Sequence, residues 1–100
     1  MFQKAIVRIP SKSMIKGLTS ADLGQPDYQL AIKQHEAYVN ALLTCGLEVI
    51  TLEADENFPD STFVEDVALC TPYCAIITRP GAESRRGEVE EMKEVLKDEY

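Results

Sequence analysis

Two short β-branched runs, Lys4-Ala5-Ile6-Val7-Arg8-Ile9 and Leu47-Glu48-Val49-Ile50-Thr51-Leu52, bracket one amphipathic helical pattern. That order restricts the fold more than any other feature of the chain. Pro26 and Asp27 open the helix, because proline suits a first helical position and an acid suits the positive end of the dipole. Tyr28, Ile32, His35, Val39 and Leu42 then recur along one face, and Gly46 supplies a left-handed stop. A strand, a helix and a second strand joined in this way predict parallel pairing through a right-handed crossover. One hundred residues without separate domains make one α/β domain of common size or a piece of something larger.

The second half carries the chemistry. Asp60, Glu65 and Asp66 fall within Phe58-Pro59-Asp60-Ser61-Thr62-Phe63-Val64-Glu65-Asp66, directly before the strand-like Val67-Ala68-Leu69-Cys70. Residue types alone leave two readings, a solvated acidic turn and a charged cavity floor at a strand mouth. Thr71-Pro72-Tyr73 is a tight turn, and Cys74-Ala75-Ile76-Ile77-Thr78 returns as the second strand of a hairpin. Cys70 and Cys74 read as buried strand cysteines. Ser84 is placed to cap a last helix with Val89, Met92, Leu96 and Tyr100 on one stripe. Arg85 and Arg86 would then occupy its first turn, where the dipole disfavours cations. They are there either for function or because one or both reach back to Glu88 or Glu90.

Two further features are open in the sequence. Ser11 to Gln25 is a polar loop, and a loop of that length in a compact domain tends to be a lid or binding loop. Within it Leu18 reads as a minor core anchor. His35, on the packed helix face, reads as a hydrogen-bonded structural histidine, since no Cys, Asp or His follows at i+3 or i+4 to make a metal pair.

Charge and composition exclude several classes of partner. A net charge of -7 disfavours nucleic acid, whose phosphates demand an excess of Lys and Arg, and suits a small cationic ligand better. No apolar run approaches the roughly 20 residues of a membrane-spanning helix, and the N-terminus lacks a signal-peptide core. Three cysteines without an export signal are expected as free thiols in a reducing cytoplasm. Neither a metal nor an organic cofactor is indicated.

Three stretches resemble a known family: Gly17-Leu18-Thr19-Ser20 through Gly24-Gln25-Pro26-Asp27-Tyr28; Phe58 to Asp66; and Ile76-Ile77-Thr78-Arg79-Pro80-Gly81-Ala82-Glu83-Ser84-Arg85-Arg86. Together the chain resembles, collinearly, the N-terminal part of the bacterial-type dimethylarginine dimethylaminohydrolases of the pentein superfamily. The resemblance implies an α/β propeller of five ββαβ-type units about a pseudo-fivefold axis, with about two units in these residues. It implies hydrolysis of N-omega-methylated arginine to citrulline and methylamine or dimethylamine through a cysteine thiouronium intermediate, with a histidine moving protons. Carried over by position, Asp60 and Asp66 bind the guanidinium side of the substrate and Glu65 adjoins them. Arg85 clamps the substrate carboxylate, and Leu18 is the lid residue near its amino group. Planar guanidinium–carboxylate pairing agrees with those roles. Because neighbouring strand residues face opposite ways, Asp66 is expected to point inward and Glu65 to contribute less directly.

The family's nucleophilic cysteine and catalytic histidine lie beyond position 100, and Cys45, Cys70, Cys74 and His35 do not match them. No catalytic residue is therefore expected in this segment. The expectation is a truncated form of the enzyme, or a fragment that pairs as a homodimer or with the remainder of the fold, since two propeller units leave open sheet edges. Competing readings are an arginine deiminase, against which the Glu65-Asp66 pair speaks, a non-catalytic module binding arginine analogues, and a purely structural α/β piece.

Overall fold

The computed structural model describes residues 2–17, 24 and 26–100. Strand β1 (Lys4–Arg8), helix α1 (Tyr28–Thr44) and strand β2 (Glu48–Leu52) follow in chain order. The two strands pair in parallel, from Lys4 opposite Glu48 to Arg8 opposite Leu52. This is the pairing that the strand–helix–strand order dictates. Asp27 is the cap of α1, its carboxylate accepting from the Leu30 N–H at 3.2 Å. Pro26 thus stands one residue before the cap and not at the first helical position, because the acid oxygen satisfies a donor that the helix leaves open. Gly46 follows the helix with φ +85°. Tyr28, Ile32, His35, Val39 and Leu42 are all half-buried, so their shared face is covered in part, against β2 and a 3-10 turn at Lys12–Lys16. That turn's first N–H groups, on Lys12 and Ser13, donate to the Glu56 carboxylate at 3.1 and 3.0 Å.

A second, antiparallel pair consists of β3 (Ala68–Cys70) and β4 (Ala75–Ile77), with Ala68 opposite Ile77 and Cys70 opposite Ala75. Helix α2 (Glu88–Lys97) completes the set. Val67, Met92 and Leu96 are buried at the centre, with Ile6, Leu52, Val64, Ala68, Ala75, Ile77 and Val89 packed around them. One core therefore joins the parallel pair, the hairpin and α2.

Three expectations are corrected here. Cys70 and Cys74 are exposed free thiols, not buried strand cysteines. The hairpin is only three residues deep, so its turn end projects past the core, and Leu69 and Ile76 form an exposed cross-strand pair on the opposite face. Ser84 caps nothing: it lies in a 3-10 turn at Glu83–Arg85, and α2 begins only after Gly87. Tyr100 lies past the buried stripe of α2, half-exposed, and its hydroxyl donates to the Thr71 carbonyl at 2.7 Å.

Gly87, the residue before α2, is closely packed. Phe58 is pressed against Gly87, where a Cβ would sit 2.5 Å from Phe58 Cζ and 2.8 Å from Cε1. A side chain at 87 must push the ring that closes the acidic stretch. Gly87→Ala is therefore expected to destabilise the protein by about 1–3 kcal/mol, as overpacking does. An unobstructed Gly→Ala replacement would instead gain about 0.4–1 kcal/mol. The midpoint of urea unfolding distinguishes the two signs.

Candidate functional site

The acidic stretch is a succession of tight turns and not the mouth of a strand. Backbone N–H groups of Ser61, Phe63, Asp66 and Val67 each donate three residues back, to Phe58, Asp60, Phe63 and Val64, at 3.0, 3.0, 3.2 and 3.3 Å. Val64–Asp66 is a 3-10 turn, so Glu65 and Asp66 diverge by turn geometry and not by strand alternation. Two outside contacts hold the turns in place. Thr62 Oγ1 donates to the Arg8 carbonyl at 2.9 Å, and Thr78 Oγ1 to the Asp66 carbonyl at 2.7 Å. The parallel pair and the hairpin thus clamp the turns from Thr62 to Asp66 at opposite ends. Gly17 adds a close approach: a Cβ there would collide with the Asp60 carboxylate.

Arg85 binds this turn system to α2. Its Nη1 donates to Asp66 Oδ2 at 2.6 Å, and its Nη2 donates to the carbonyls of Asp60 and Phe63 at 3.0 and 3.1 Å. Nε and Nη2 also reach the two oxygens of Glu88, each at 2.9 Å. The guanidinium pKa is raised, first by the hydrogen bond to Glu88, against the cost of burial, with Asp66 adding to the rise. Of the two alternatives for the arginines, Arg85 does reach back to Glu88. Arg86 turns instead to the carbonyls of Pro80 and Gly81, at 3.0 and 3.4 Å. Neither arginine is in the first turn of α2. Both precede it, and the first helical residue is the acid Glu88, which the dipole favours.

Asp60, Asp66 and Arg85 border one open cleft of about 500 Å³, together with Phe63, Thr78 and the segment from Arg79 to Ala82. That volume is ample for an amino acid. Glu65 is exposed and is not among the cleft's lining residues. Leu18 lies outside the described residues. The sequence places Thr78 and Arg79 in a matched stretch and Glu88 as a possible arginine partner but gives none of the three a site role, since such residues look like ordinary surface until the hairpin and α2 are folded against the turns. Among the described residues no three His, Cys, Asp or Glu side chains are grouped to hold a metal ion, and no helix is long and apolar enough to cross a membrane.

Comparison with known proteins decides the family. The family model described as N,N dimethylarginine dimethylhydrolase, eukaryotic, matches residues 20–100. The chain belongs to this family. It is 56% identical over 100 residues to the N(G),N(G)-dimethylarginine dimethylaminohydrolase of Pseudomonas aeruginosa, covering all of this chain and 39% of that protein. It is 42% identical over 95 residues to the enzyme of the same name from Streptomyces coelicolor, covering 94% of this chain and 37% of that one. The chain thus spans about two fifths of the length of these relatives. Its α/β structure superposes with a TM-score of 0.98 on the Pseudomonas aeruginosa protein complexed with citrulline, over all of this chain and 39% of that one. It superposes equally, at 0.98, on a dimethylarginine dimethylaminohydrolase adduct with S-methyl-L-thiocitrulline, again covering 100% and 39%.

His35 stands apart from this cleft, on α1. Its Nε2 is buried and has no hydrogen-bond partner among the described residues, which corrects the expectation of a hydrogen-bonded histidine. Burial lowers its pKa below the ordinary 6.5, while Glu36 pulls weakly the other way. A folded-state pKa below the unfolded one means that the unfolded chain binds the extra proton first. The contribution of neutral His35 is thus complete above pH 6.5 and is lost as the pH falls through the folded value. Urea midpoints at about pH 8 and about pH 5 are expected to differ less in His35→Phe than in the unmodified protein.

Proposed function

We propose that this chain forms the substrate-recognising part of a dimethylarginine dimethylaminohydrolase, a hydrolase that converts N-omega-methylated arginine to citrulline and methylamine or dimethylamine. The observation that carries the proposal is the shared cleft, which places two carboxylates and two arginines, Arg79 and Arg85, around a space of amino-acid size on a chain of this family. A methylated arginine bears a guanidinium at one end and a carboxylate at the other. Asp66 and Asp60 match the first, since a planar guanidinium pairs with carboxylates by charge-assisted hydrogen bonds. Arg85 matches the second, with Nη1 as its cleft-side donor. Glu65 adjoins Asp66 without lining the cleft, and Leu18 is assigned to the ligand's amino end by its position in the sequence. Citrulline in the complex of the Pseudomonas aeruginosa protein is the product this reaction requires.

In this reading the segment binds and orients. A cysteine thiolate from the rest of a pentein-type propeller attacks the guanidinium carbon, a histidine there gives the departing amine its proton, and the same histidine then takes a proton from the water that releases citrulline and restores the thiolate. Nucleophilic displacement of this kind is accelerated when the electrophilic carbon is held in line for attack, and Asp66 supplies that orientation by fixing the guanidinium plane. The protein works in the cytoplasm on a free amino acid, as a homodimer or with this segment paired to the remainder of the fold, without cofactor, nucleic acid or membrane.

Asp66→Ala in the full-length protein is expected to lower kcat/KM for citrulline release from N-methylarginine by about 100-fold or more, the scale of losing one side of a charge pair. Circular dichroism checks that the variant is folded. Unchanged turnover in a folded variant would sink the assignment of Asp66.

A further inference from the structure

Arg85 has two unlike edges. The edge formed by Nε and Nη2 is turned inward and filled: Nε donates to Glu88 Oε2 at 2.9 Å and Nη2 to Glu88 Oε1 at 2.9 Å. Nη2 is further held by the Asp60 and Phe63 carbonyls. Nη1 is the outward end, and its partner Asp66 is a half-exposed carboxylate on the cleft. Glu88 differs from Asp66 in every respect that matters. Its side chain is 5% exposed, it is not among the cleft's lining residues, and it borders instead a pocket of about 20 Å³ on the inner side with Arg8, Ser61 and Met92. A buried carboxylate at the first position of a helix, with both oxygens on one guanidinium, defines a plane and a direction as well as a charge.

We infer that Glu88 is a positioning residue, which holds the inner edge of the Arg85 guanidinium so that Nη1 is the end offered to a ligand carboxylate. The inference rests on the substrate-binding role given to Arg85 above. The charges support it. Arg85, Glu88 and Asp66 together carry one negative charge, so an incoming guanidinium can take Asp66 while Nη1 turns to the ligand's carboxylate. Arg85 remains neutralised by Glu88 throughout. Without the Glu88 charge, Arg85 has Asp66 as its only anionic partner among these three and must give it up on binding. A purely structural salt bridge between Arg85 and Glu88 would affect unfolding and leave substrate affinity alone.

The test compares the kinetics of the full-length protein on N-methylarginine in unmodified form and in two variants, Glu88→Gln and Arg85→Ala. Glu88→Gln preserves shape and removes charge, so KM is expected to rise about tenfold, the effect of one charge-assisted hydrogen bond, with kcat within about twofold. An Arg85→Ala variant with unchanged KM would overturn the role of Arg85 and this inference with it. A raised KM in Arg85→Ala beside an unchanged KM in Glu88→Gln overturns the inference alone. A nitrogen-15 NMR measurement covers the case in which Glu88→Gln does not fold. In the unmodified protein the Arg85 Nε–H is expected to exchange slowly with solvent and to keep its shift when N-methylarginine binds. A fast-exchanging Nε–H, or one that moves with ligand, shows that Glu88 does not hold that edge.

Discussion

The guanidinium of Arg85 is the point at which the separate parts of this structure meet. Five acceptors from the acidic turns and α2 converge on it, and two are oxygens of a nearly buried carboxylate. Removing one partner of a buried charge pair costs about 3–5 kcal/mol, because the other is left uncompensated. That asymmetry makes the arrangement all-or-none. The turns from Phe58 to Val67 contain little regular secondary structure of their own, and their position is set by the arginine, by Thr62 on β1's carbonyl and by Thr78 after β4. A cleft on such turns is rigid only as far as those contacts are.

The same constraint explains a conflict between local and global preferences. An arginine just before a helix start opposes the dipole, and the sequence places two there. Inserting Gly87 between Arg86 and the helix, and beginning the helix with Glu88, converts that conflict into a pairing. The acid sits where the dipole favours it and the cation faces the acid. Gly87 is required at that place because Phe58 packs where its side chain would be. Ring, glycine, acid and arginine are one packing problem with one solution.

Much of this was legible from residue order. The parallel strand pair, the intervening helix with an acid at its start and a glycine stop, the hairpin, and the buried Met92 and Leu96 stripe all follow from periodicity and turn chemistry, which act over a few residues. The family follows from collinear residue matches, including the turns from Phe58 to Asp66. The errors share a cause. Cys70 and Cys74 look like strand interior because strand propensity says nothing about how far a strand extends past its core. Ser84 looks like a cap because capping potential is local, whereas α2 starts four residues further on, at Glu88, after a glycine packed against Phe58 from nearly thirty positions away in the chain.

Sequence alone therefore determined the elements, their order, the parallel pairing and the presence of the acids and the arginine that border the cleft, because these depend on side-chain chemistry and short-range spacing. Only the tertiary structure decided which of those groups share a cleft. It turned Glu65 away from Asp66 by a 3-10 turn where alternation on a strand had been expected. It made Glu88 the inner partner of Arg85 and left Asp66 as the outer one. The strength and direction of a charge pair are set by burial and by what else surrounds it, and both exist only once distant segments are packed together.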